Sequence, residues 1–562
     1  IPLITTLLTK EVVSLVADAA DIKTLVVTIS ILACSLSLLN ILNMIFTRKT
    51  KVKGTFVRFG YIVQNAVKTM DTDYINIEGP SAQEMLRKSE DAVGYAFSSM
   101  TQHIFRVITA GIANTVGLIV YSTLIFSLCP WIVIVLIVLG SLNYIVIQNN
   151  INWWMRKRGK WYSIDQKRQH LREKICDFAA AKDIRLYNMM DWFKPIYIKL
   201  METMSYWRKQ QAKQDLHTDI AGLVIQCLRD GTAYTILLTR VVKGAMNAGD
   251  FIFYFALITQ YSNWVFGMFT AVLEFKRAHI QIGDLREFLE FPDSSNRGDG
   301  VAPPHEPPEI VFENVSFQYN IEMPYTIRNI TFRIKPGEKV ALVGLNGAGK
   351  TTIVKLLCNF YKPSNGRILI DGMSLDEYNR DALWKTFSVV FQDVHIMPLT
   401  IAENIALTPL AEIDAEKLDR AIYLSDLKEK IDLLPNREKT LLVKQVHQDA
   451  VDLSGGEVQK LALARALYRD STIIILDEPT AALDPIAESH QYERYAELTQ
   501  KATSLYISHR LSSTQFCDKI LYLEQGEIIE EGSHQELMKR GGKYAELYSI
   551  QSQYYTKETC LD

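Results

Sequence analysis

The sequence has no excess of charge of either sign. Its 61 Lys and Arg nearly cancel 63 Asp and Glu, for a formal net charge of −2. With no basic footprint, nucleic acid is not expected as a partner. Cysteine is sparse: Cys34, Cys129, Cys176, Cys227, Cys358, Cys517 and Cys560 are the seven, and none forms a C-x-x-C pair. That spacing argues against a disulfide frame or a zinc site and for scattered reduced thiols. Residue 1 is not methionine and falls in an apolar run, so the start is expected to be truncated, and a targeting segment is neither ruled in nor out. The most informative absence is local. Residues 25–46, 107–155 and 251–273 contain no Asp, Glu, Lys or Arg.

Each uncharged run reaches the ~20 residues that cross a bilayer as a helix. The 107–155 run is long enough for two spans, hinged near Cys129-Pro130. Residues 220–239 form a further span interrupted by Arg229 and Asp230, and 1–20 read as the tail of another. Six spans result. Arg48, Lys49, Lys51, Lys53 and Arg58 follow the second, Arg156, Lys157, Arg158 and Lys160 the fourth, and Lys276 and Arg277 the sixth. By the positive-inside rule these ends are cytoplasmic, and Trp153-Trp154 fits an interfacial belt. Arg229 and Asp230 either face a bundle interior or neutralise each other. In the aromatic-rich sixth span, Tyr261 and Trp264 are candidates for a pathway role, against packing as the alternative.

Residues 47–104 and 156–215 are polar but rich in helix formers. They read as helices running on past the bilayer and turning back near 71–80 and 187–195. These turns are either ordinary loops or contacts with the rest of the chain. Residues 292–308, with Pro-Asp-Ser-Ser-Asn-Arg-Gly-Asp-Gly and Pro-Pro-His-Glu-Pro-Pro, mark a boundary. The expected organisation is a membrane domain at 1–291, a linker at 292–308 and a second domain at 309–555.

In the second domain a strand-like run, Val340-Ala341-Leu342-Val343, leads into Gly344-Leu345-Asn346-Gly347-Ala348-Gly349-Lys350-Thr351-Thr352 and then an apolar helix. Strand, G-x-x-x-x-G-K-T and helix form a phosphate-binding loop. The glycines allow successive N–H groups to face phosphate oxygens, and the helix adds its positive end. Lys350 reaches the outer phosphates and Thr351 offers a hydroxyl to Mg²⁺. Downstream, Leu453-Ser454-Gly455-Gly456-Glu457-Val458-Gln459 opens a helix and offers a second anion-facing turn. One copy already cradles its phosphates, so this turn makes sense if it closes over the nucleotide of another copy. Ile473-Ile474-Ile475-Leu476 then delivers Asp477 and Glu478, one for the Mg²⁺ shell and one to polarise water. A last strand ends at His509, placed for the γ-phosphate or the water.

These motifs, in this order, resemble the ATP-binding cassette (ABC) transporter superfamily, specifically its exporter-type half-transporters. The resemblance covers the whole chain and is most specific over 310–550. It identifies 344–352 with Walker A, 473–477 with Walker B, Glu478 with the catalytic glutamate and 453–459 with the signature, Glu457 standing for the usual glutamine. It further implies that Gln392 contacts Mg²⁺ and the transmembrane domain, that Tyr319 stacks on adenine, that Ala482-Leu483-Asp484 is the D-loop, and that His509 is the switch histidine. ATP with Mg²⁺ is the implied cofactor pair. Two cassettes are implied to pair head to tail, so the partner is a second half-transporter chain, in a homodimer or heterodimer. The turns at 71–80 and 187–195 fall where the family places its coupling helices. One departure stands out: Leu442-Val443-Lys444-Gln445-Val446-His447-Gln448-Asp449 replaces the T-x-V-G-E-x-G stretch of many exporters, which sets this chain on a divergent branch.

The expected fold is a membrane all-α six-helix domain of ABC exporter type plus an α/β P-loop NTPase domain. The expected function is ATP-driven export by a dimer in a bacterial plasma membrane, with membrane lipid around the spans and the ATP-binding domain in the cytoplasm. Peptide, drug-like amphiphile, lipid and siderophore all stay open as substrate. An importer with exporter architecture and a sensing or regulatory membrane ATPase are the competing classes.

Overall fold

The computed structural model describes residues 2–17, 21–94, 100–126, 130–178, 180–298, 300–478, 502–508 and 511–558. The chain divides into two compact units, Ile1–Asp71 with Pro80–Phe291, and Thr72–Gly79 with Pro292–Asp562.

The first unit is helical: α1 (Pro2–Ala17), α2 (Ile22–Asp71), α4 (Pro80–Val93), α5 (Met100–Phe126), α6 (Pro130–Cys176), α7 (Ala181–Leu186), α8 (Met190–Val242) and α9 (Ala248–Leu289), with α3 (Ile75–Glu78) belonging to the other unit. α2 is 50 residues long and α8 is 53. At 1.5 Å per residue each runs about 75–80 Å, more than twice a hydrocarbon core. Among the described residues, three helical stretches are long and apolar enough to cross a membrane: Ile22–Asp71, Thr101–Phe126 and Pro130–Trp154. α6 opens on Pro130, whose missing N–H would have had no helical partner there. α9 opens on Asn247, whose side chain accepts from the Asp250 amide at 2.7 Å.

The core of this unit gathers Tyr121 and Ile125 of α5, Leu136 of α6, Leu237 of α8 and Leu257, Tyr261 and Val265 of α9. α5 and α9 interlock through reciprocal glycines. A Cβ on Gly117 would meet the Trp264 ring at 2.4 Å, and one on Gly267 would meet Asn114 at 2.7 Å. Small residues that admit a large partner are the usual device where lipid cannot drive helices together.

The second turn lies at 187–189, shorter than the 187–195 that the sequence suggests. The short helix is α7, 181–186, and α8 has begun by Met190, so Pro195 lies inside α8 rather than in a loop. Only one turn precedes Pro195, so its ring and missing N–H disturb a single early hydrogen bond, which the remaining length of helix outweighs. Arg229 and Asp230 pair with each other, Nη2 to Oδ1 at 2.7 Å.

The second unit is α/β. Strands β1 (Ile310–Phe317), β2 (Ile327–Ile334), β4 (Asn365–Ile370) and β5 (Met373–Ser374) form an antiparallel sheet of order β2-β1-β4-β5. Strands β3 (Lys339–Gly344), β6 (Phe387–Val390), β7 (Ile473–Asp477), β8 (Thr503–Ile507), β9 (Lys519–Glu524) and β10 (Glu527–Gly532) form the other, of order β10-β9-β3-β8-β7-β6. All its pairings are parallel except β9 with β10. β3 lies inside this sheet and is covered on both faces. Val340 and Leu342 enter one core with Phe312 and Ile353, while Ala341 and Val343 enter another with Leu463 and Tyr544. The proline-rich stretch after 291 is pinned to this unit: Val301 and Glu377 share a backbone hydrogen bond, and the Asn379 side chain donates to the Arg297 carbonyl. Cys34, Cys176 and Cys227 are exposed free thiols and Cys358 and Cys517 buried ones; Cys129 and Cys560 lie outside the described residues.

Candidate functional site

Parallel strands deliver their carboxyl ends to one edge of a sheet, and ligands bind there. β3, β8, β7 and β6 are neighbours, with Leu342 opposite Ile507, Asp477 opposite Ile507, and Val390 opposite Leu476. The residues just past these ends, from Gly344 to Gln392, therefore meet along one rim.

The loop after β3 turns through Gly344-Leu345-Asn346-Gly347-Ala348-Gly349 into α10 (Lys350–Leu357). Gly347 and Gly349 have φ of 78° and 110°, backbone that disfavours a side chain. A Cβ on Gly344 would meet the Leu523 carbonyl oxygen at 2.1 Å. Lys350 is buried and donates to the Gly344 and Leu345 carbonyls at 2.9 and 3.0 Å. Burial lowers its pKa, and Glu478 and Asp477 oppose that shift. Such a lysine is held ready inside the loop and can exchange two carbonyls for phosphate oxygens.

Asp477 ends β7 and is 3% exposed. Burial, then the neighbouring Glu478, push its pKa up to about 6, against the pull of Lys350 and a hydrogen bond from Thr351. A buried carboxylate beside a second one, with a threonine hydroxyl between it and the loop, is an oxygen donor set suited to a hard divalent cation such as Mg²⁺. Glu478 takes φ of 51° and donates its amide to the Ile507 carbonyl at 3.0 Å. That left-handed bend turns the carboxylate off the strand line. Its Oε2 accepts from the Gln392 Nε2 at 2.9 Å. Lys350, Thr351, Asp477, Glu478 and Gln392 are thus linked into one cluster. Asp484 and His509 lie outside the described residues.

Ser454 caps the helix Gly455–Arg469 in a capping box: its amide donates to Glu457 at 2.8 Å, and Glu457 also pairs with Lys430 at 2.9 Å. The box takes Glu or Gln at that position, which accounts for a glutamate where the signature usually has glutamine. Among the described residues, the hydrogen bonds of Ser454, Gly455 and Gly456 run within their own helix start, and none reaches 344–352. One chain alone does not join the two anion-facing turns.

Tyr319 is 44% exposed, and its hydroxyl lies 3.1 Å from the Thr352 hydroxyl, so its ring flanks the phosphate loop. Lys355, one turn into α10, was not anticipated. Its ammonium pairs with Glu78 at 2.8 Å and sits over the rings of Tyr74, Tyr319 and Tyr361 at 5.6–5.8 Å. Residues 72–79 are thereby held in the second unit. Asp73 reinforces this: it accepts from the Ser294 and Ser295 amides at 2.6 and 2.9 Å and from Arg380 at 3.1 Å. Burial raises its pKa, but the Ser295, Ser294 and Arg380 bonds outweigh that and hold the carboxyl below its usual range. Arg380 is 2% exposed and lies over the Trp384 ring at 4.4 Å. No short motif announces Lys355, Asp73 or Arg380, because their partners are far away in sequence.

In the helical unit a cavity of about 750 Å³ lies between α6, α8 and α9. Asn143, Gln226, Arg229, Phe266, Phe269 and Glu274 are among the residues that line it. Tyr261 and Trp264 do not. Tyr261 is fully buried with its hydroxyl 3.4 Å from Ser122, and Trp264 fills the notch at Gly117. Both point into the α5–α9 seam, whereas the adjoining Ser262, Val265 and Phe266 line the cavity.

Residues 327–481 match the family model described as "ABC transporter". Over 247 residues, 44% of this chain, the sequence is 42% identical to an ATP-dependent lipid A-core flippase of Burkholderia orbicola (strain AU 1054), covering 40% of that protein. A protein of the same name from Haemophilus ducreyi is 33% identical over 332 residues, 59% of this chain and 56% of the relative. The chain thus matches about half the length, or less, of these curated relatives. A solved structure described as a bacterial Atm1-family ABC exporter with ATP bound superposes with a TM-score of 0.80 at 21% identity, covering 98% of this chain and 95% of that one. At that identity the likeness is one of fold.

Proposed function

Starting from a chain whose second unit carries an ABC transporter domain and whose fold is that of an ABC exporter, we propose an ATP-driven membrane transporter that moves a lipid-like amphiphile out of the cytoplasmic leaflet of a bacterial plasma membrane. One observation carries the reading. Lys350, Asp477, Glu478 and Gln392 converge on one sheet rim in a chain whose described residues include three helices of membrane-crossing length and composition.

The working unit is a pair of chains. Ser454–Gly456 of the second copy closes on the phosphates held by 344–352 of the first, because one chain keeps these turns apart. Lys350 binds the outer phosphates, and Tyr319 covers the adenine. Thr351, Asp477 and Gln392 would hold Mg²⁺, which supplies charge neutralisation across the phosphates when bound. Glu478 accepts the proton of the attacking water at a carboxylate oxygen, and Gln392 orients that carboxylate. Asp484 and His509 keep the roles that the resemblance implies, at the dimer contact and the γ-phosphate. Residues 72–79, fixed by Asp73 and Lys355, carry nucleotide-dependent movement to α2 and α4. The amphiphile is received by the α6–α8–α9 cavity, whose lining mixes Phe266 and Phe269 with Asn143, Gln226 and Arg229.

The test uses the full chain in proteoliposomes. Glu478→Gln retains ATP binding and loses hydrolysis about 10²–10⁴-fold, read as phosphate release. A fluorescent lipid analogue moves between leaflets with wild type and ATP, and stays put with Glu478→Gln. Substantial ATPase in Glu478→Gln refutes the catalytic assignment. Intact ATPase without lipid movement refutes the lipid reading.

A further inference from the structure

Four of the eight tryptophans in the chain, Trp153, Trp154, Trp161 and Trp207, line a single small cleft between α6 and α8. The other lining residues are Lys157, Arg208 and Gln211, and its volume is about 80 Å³. Trp153 and Lys157 also line an adjoining cavity of about 400 Å³ with Asn149, Asn152 and Arg156. Among the described residues, no carboxylate lines either space. The Arg208 guanidinium lies over the Trp161 ring at 5.6 Å.

The depth of this feature is set by the membrane-crossing stretch. That stretch is Pro130–Trp154, so Trp153 and Trp154 sit at its last turn. Trp161 lies seven residues further on, about 10 Å along the axis. The headgroup layer of one leaflet is about 5–8 Å thick. The cleft therefore spans the depth at which lipid phosphates and glycerol backbones lie. By the charge rule that orients the spans, it opens at the cytoplasmic leaflet.

Chemistry then selects the occupant. An indole presents an apolar face suited to the glycerol and first methylenes of a lipid chain. Aromatic faces also attract cations, but here Arg208 already occupies the face of Trp161 and Lys157 stands in the same wall. A choline or ethanolamine head would bring a further cation into a cleft that already holds two. A phosphodiester without an amine brings the charge that is missing, and 80 Å³ accommodates a phosphate and little more.

We propose that the Trp153–Trp154–Trp161–Trp207 cleft, with Lys157, Arg208 and Arg156, is a binding site for one anionic phospholipid of the cytoplasmic leaflet, its phosphodiester between the cations and its glycerol against the indoles. This lipid is a resident of the α6–α8 pair and not the transported molecule, which the α6–α8–α9 cavity receives.

The test is native mass spectrometry of the full chain, released from nanodiscs of equimolar phosphatidylglycerol and phosphatidylcholine, counting lipids retained. Wild type retains phosphatidylglycerol about 30- to 150-fold over phosphatidylcholine, as two to three cations at a membrane surface imply. Lys157→Gln/Arg208→Gln abolishes the preference. Lys362→Gln, an exposed cation in the second unit, leaves it unchanged. Circular dichroism and fluorescent-nucleotide binding show that each variant is folded. A second readout is quenching of tryptophan emission by phosphatidylglycerol brominated near the carbonyl, which exceeds that by brominated phosphatidylcholine and falls to parity in the double variant. Equal retention of the two lipids by wild type overturns the proposal. So does an unchanged preference in the folded double variant. A shift from dimer to monomer with the lipid preference intact also overturns it, by assigning the cleft to a contact between copies. None of these readouts uses ATP hydrolysis or transport, so this result and that of the transport test fail separately.

Discussion

The two units place the same apolar side chains in opposite ways. In the helical unit Ile41, Phe46, Ile145 and Leu223 are 52%, 68%, 53% and 60% exposed. In the α/β unit Leu342, Ile475 and Leu521 are each 0% exposed. Exposed apolar side chains cover much of α2, α5, α6 and α8, far beyond the few hundred Å² that a water-soluble monomer tolerates. The difference reflects two solvents. Water drives the α/β unit to bury its aliphatic residues, whereas hydrocarbon is indifferent to them and leaves helix association to close packing, as at Gly117 and Gly267.

The largest expected effect lies where the α/β unit buries charge. Arg380→Ala leaves Asp73 buried without its counter-charge, held only by donors from Ser294 and Ser295, and costs up to about 3–5 kcal/mol. Differential scanning calorimetry should show the α/β transition falling by roughly 6–20 °C while the helical unit keeps its far-ultraviolet signal. A shift of a degree or two would mean that the ion pair does not hold 72–79. The pH dependence has a definite sign. The Asp73 pKa lies below its usual value of 3.8. Its contribution is therefore complete above that value and is lost only as pH falls through the lower folded-state value.

The second prediction inverts the first unit's rule. Ile41→Asp in α2, an exposed position that would be harmless in water, costs about 2.5–3.5 kcal/mol in a bilayer. Reduced insertion in a translocon assay, with Ile41→Ala near wild type, is the expected result. Full insertion of Ile41→Asp would place this face of α2 in contact with water and break the comparison.

The smallest effect concerns the helix start that the α/β unit offers to a second copy. Glu457→Ala removes half of the capping box and costs about 1 kcal/mol, whereas Glu457→Gln costs a few tenths. ATPase activity should fall several-fold for alanine and little for glutamine. Equal loss in both would show that the charge of Glu457, through Lys430, matters more than the cap.

The units also differ in how much of each could be read from sequence. The phosphate loop, the β7 carboxylates and the Ser454 turn are local: a strand, a bend and a helix start within about ten residues, so their types and spacing carry the geometry. The chain-distant contacts carry no such signal. Asp73 and Arg380 are separated by 307 positions, and nothing near either residue marks the other. In the helical unit three of the six expected spans, those within 22–71, 101–126 and 130–154, were legible because hydrocarbon demands long uncharged runs. The end of the turn at 187–195 was not, because Pro195 reads as a breaker and is tolerated near the start of α8. Nor could sequence tell which face of α9 meets the cavity. Tyr261 and Trp264 differ from Ser262 and Val265 by one position, and one position on a helix is a rotation of about 100°.

The place of residues 72–79 in the second unit has a consequence in time. Asp73 leaves the ribosome 307 residues before Arg380, a wait of about 15–60 s at ordinary rates of synthesis. Through that interval α4, α5, α6, α8 and α9 are made, while the carboxylate that will be buried stays hydrated. The α/β unit is therefore completed by a piece of chain older than all the rest of it. A fragment expressed from residue 292 onward would be made without that piece, and its Arg380 would lose the buried carboxylate while keeping the neighbouring, half-exposed Asp381.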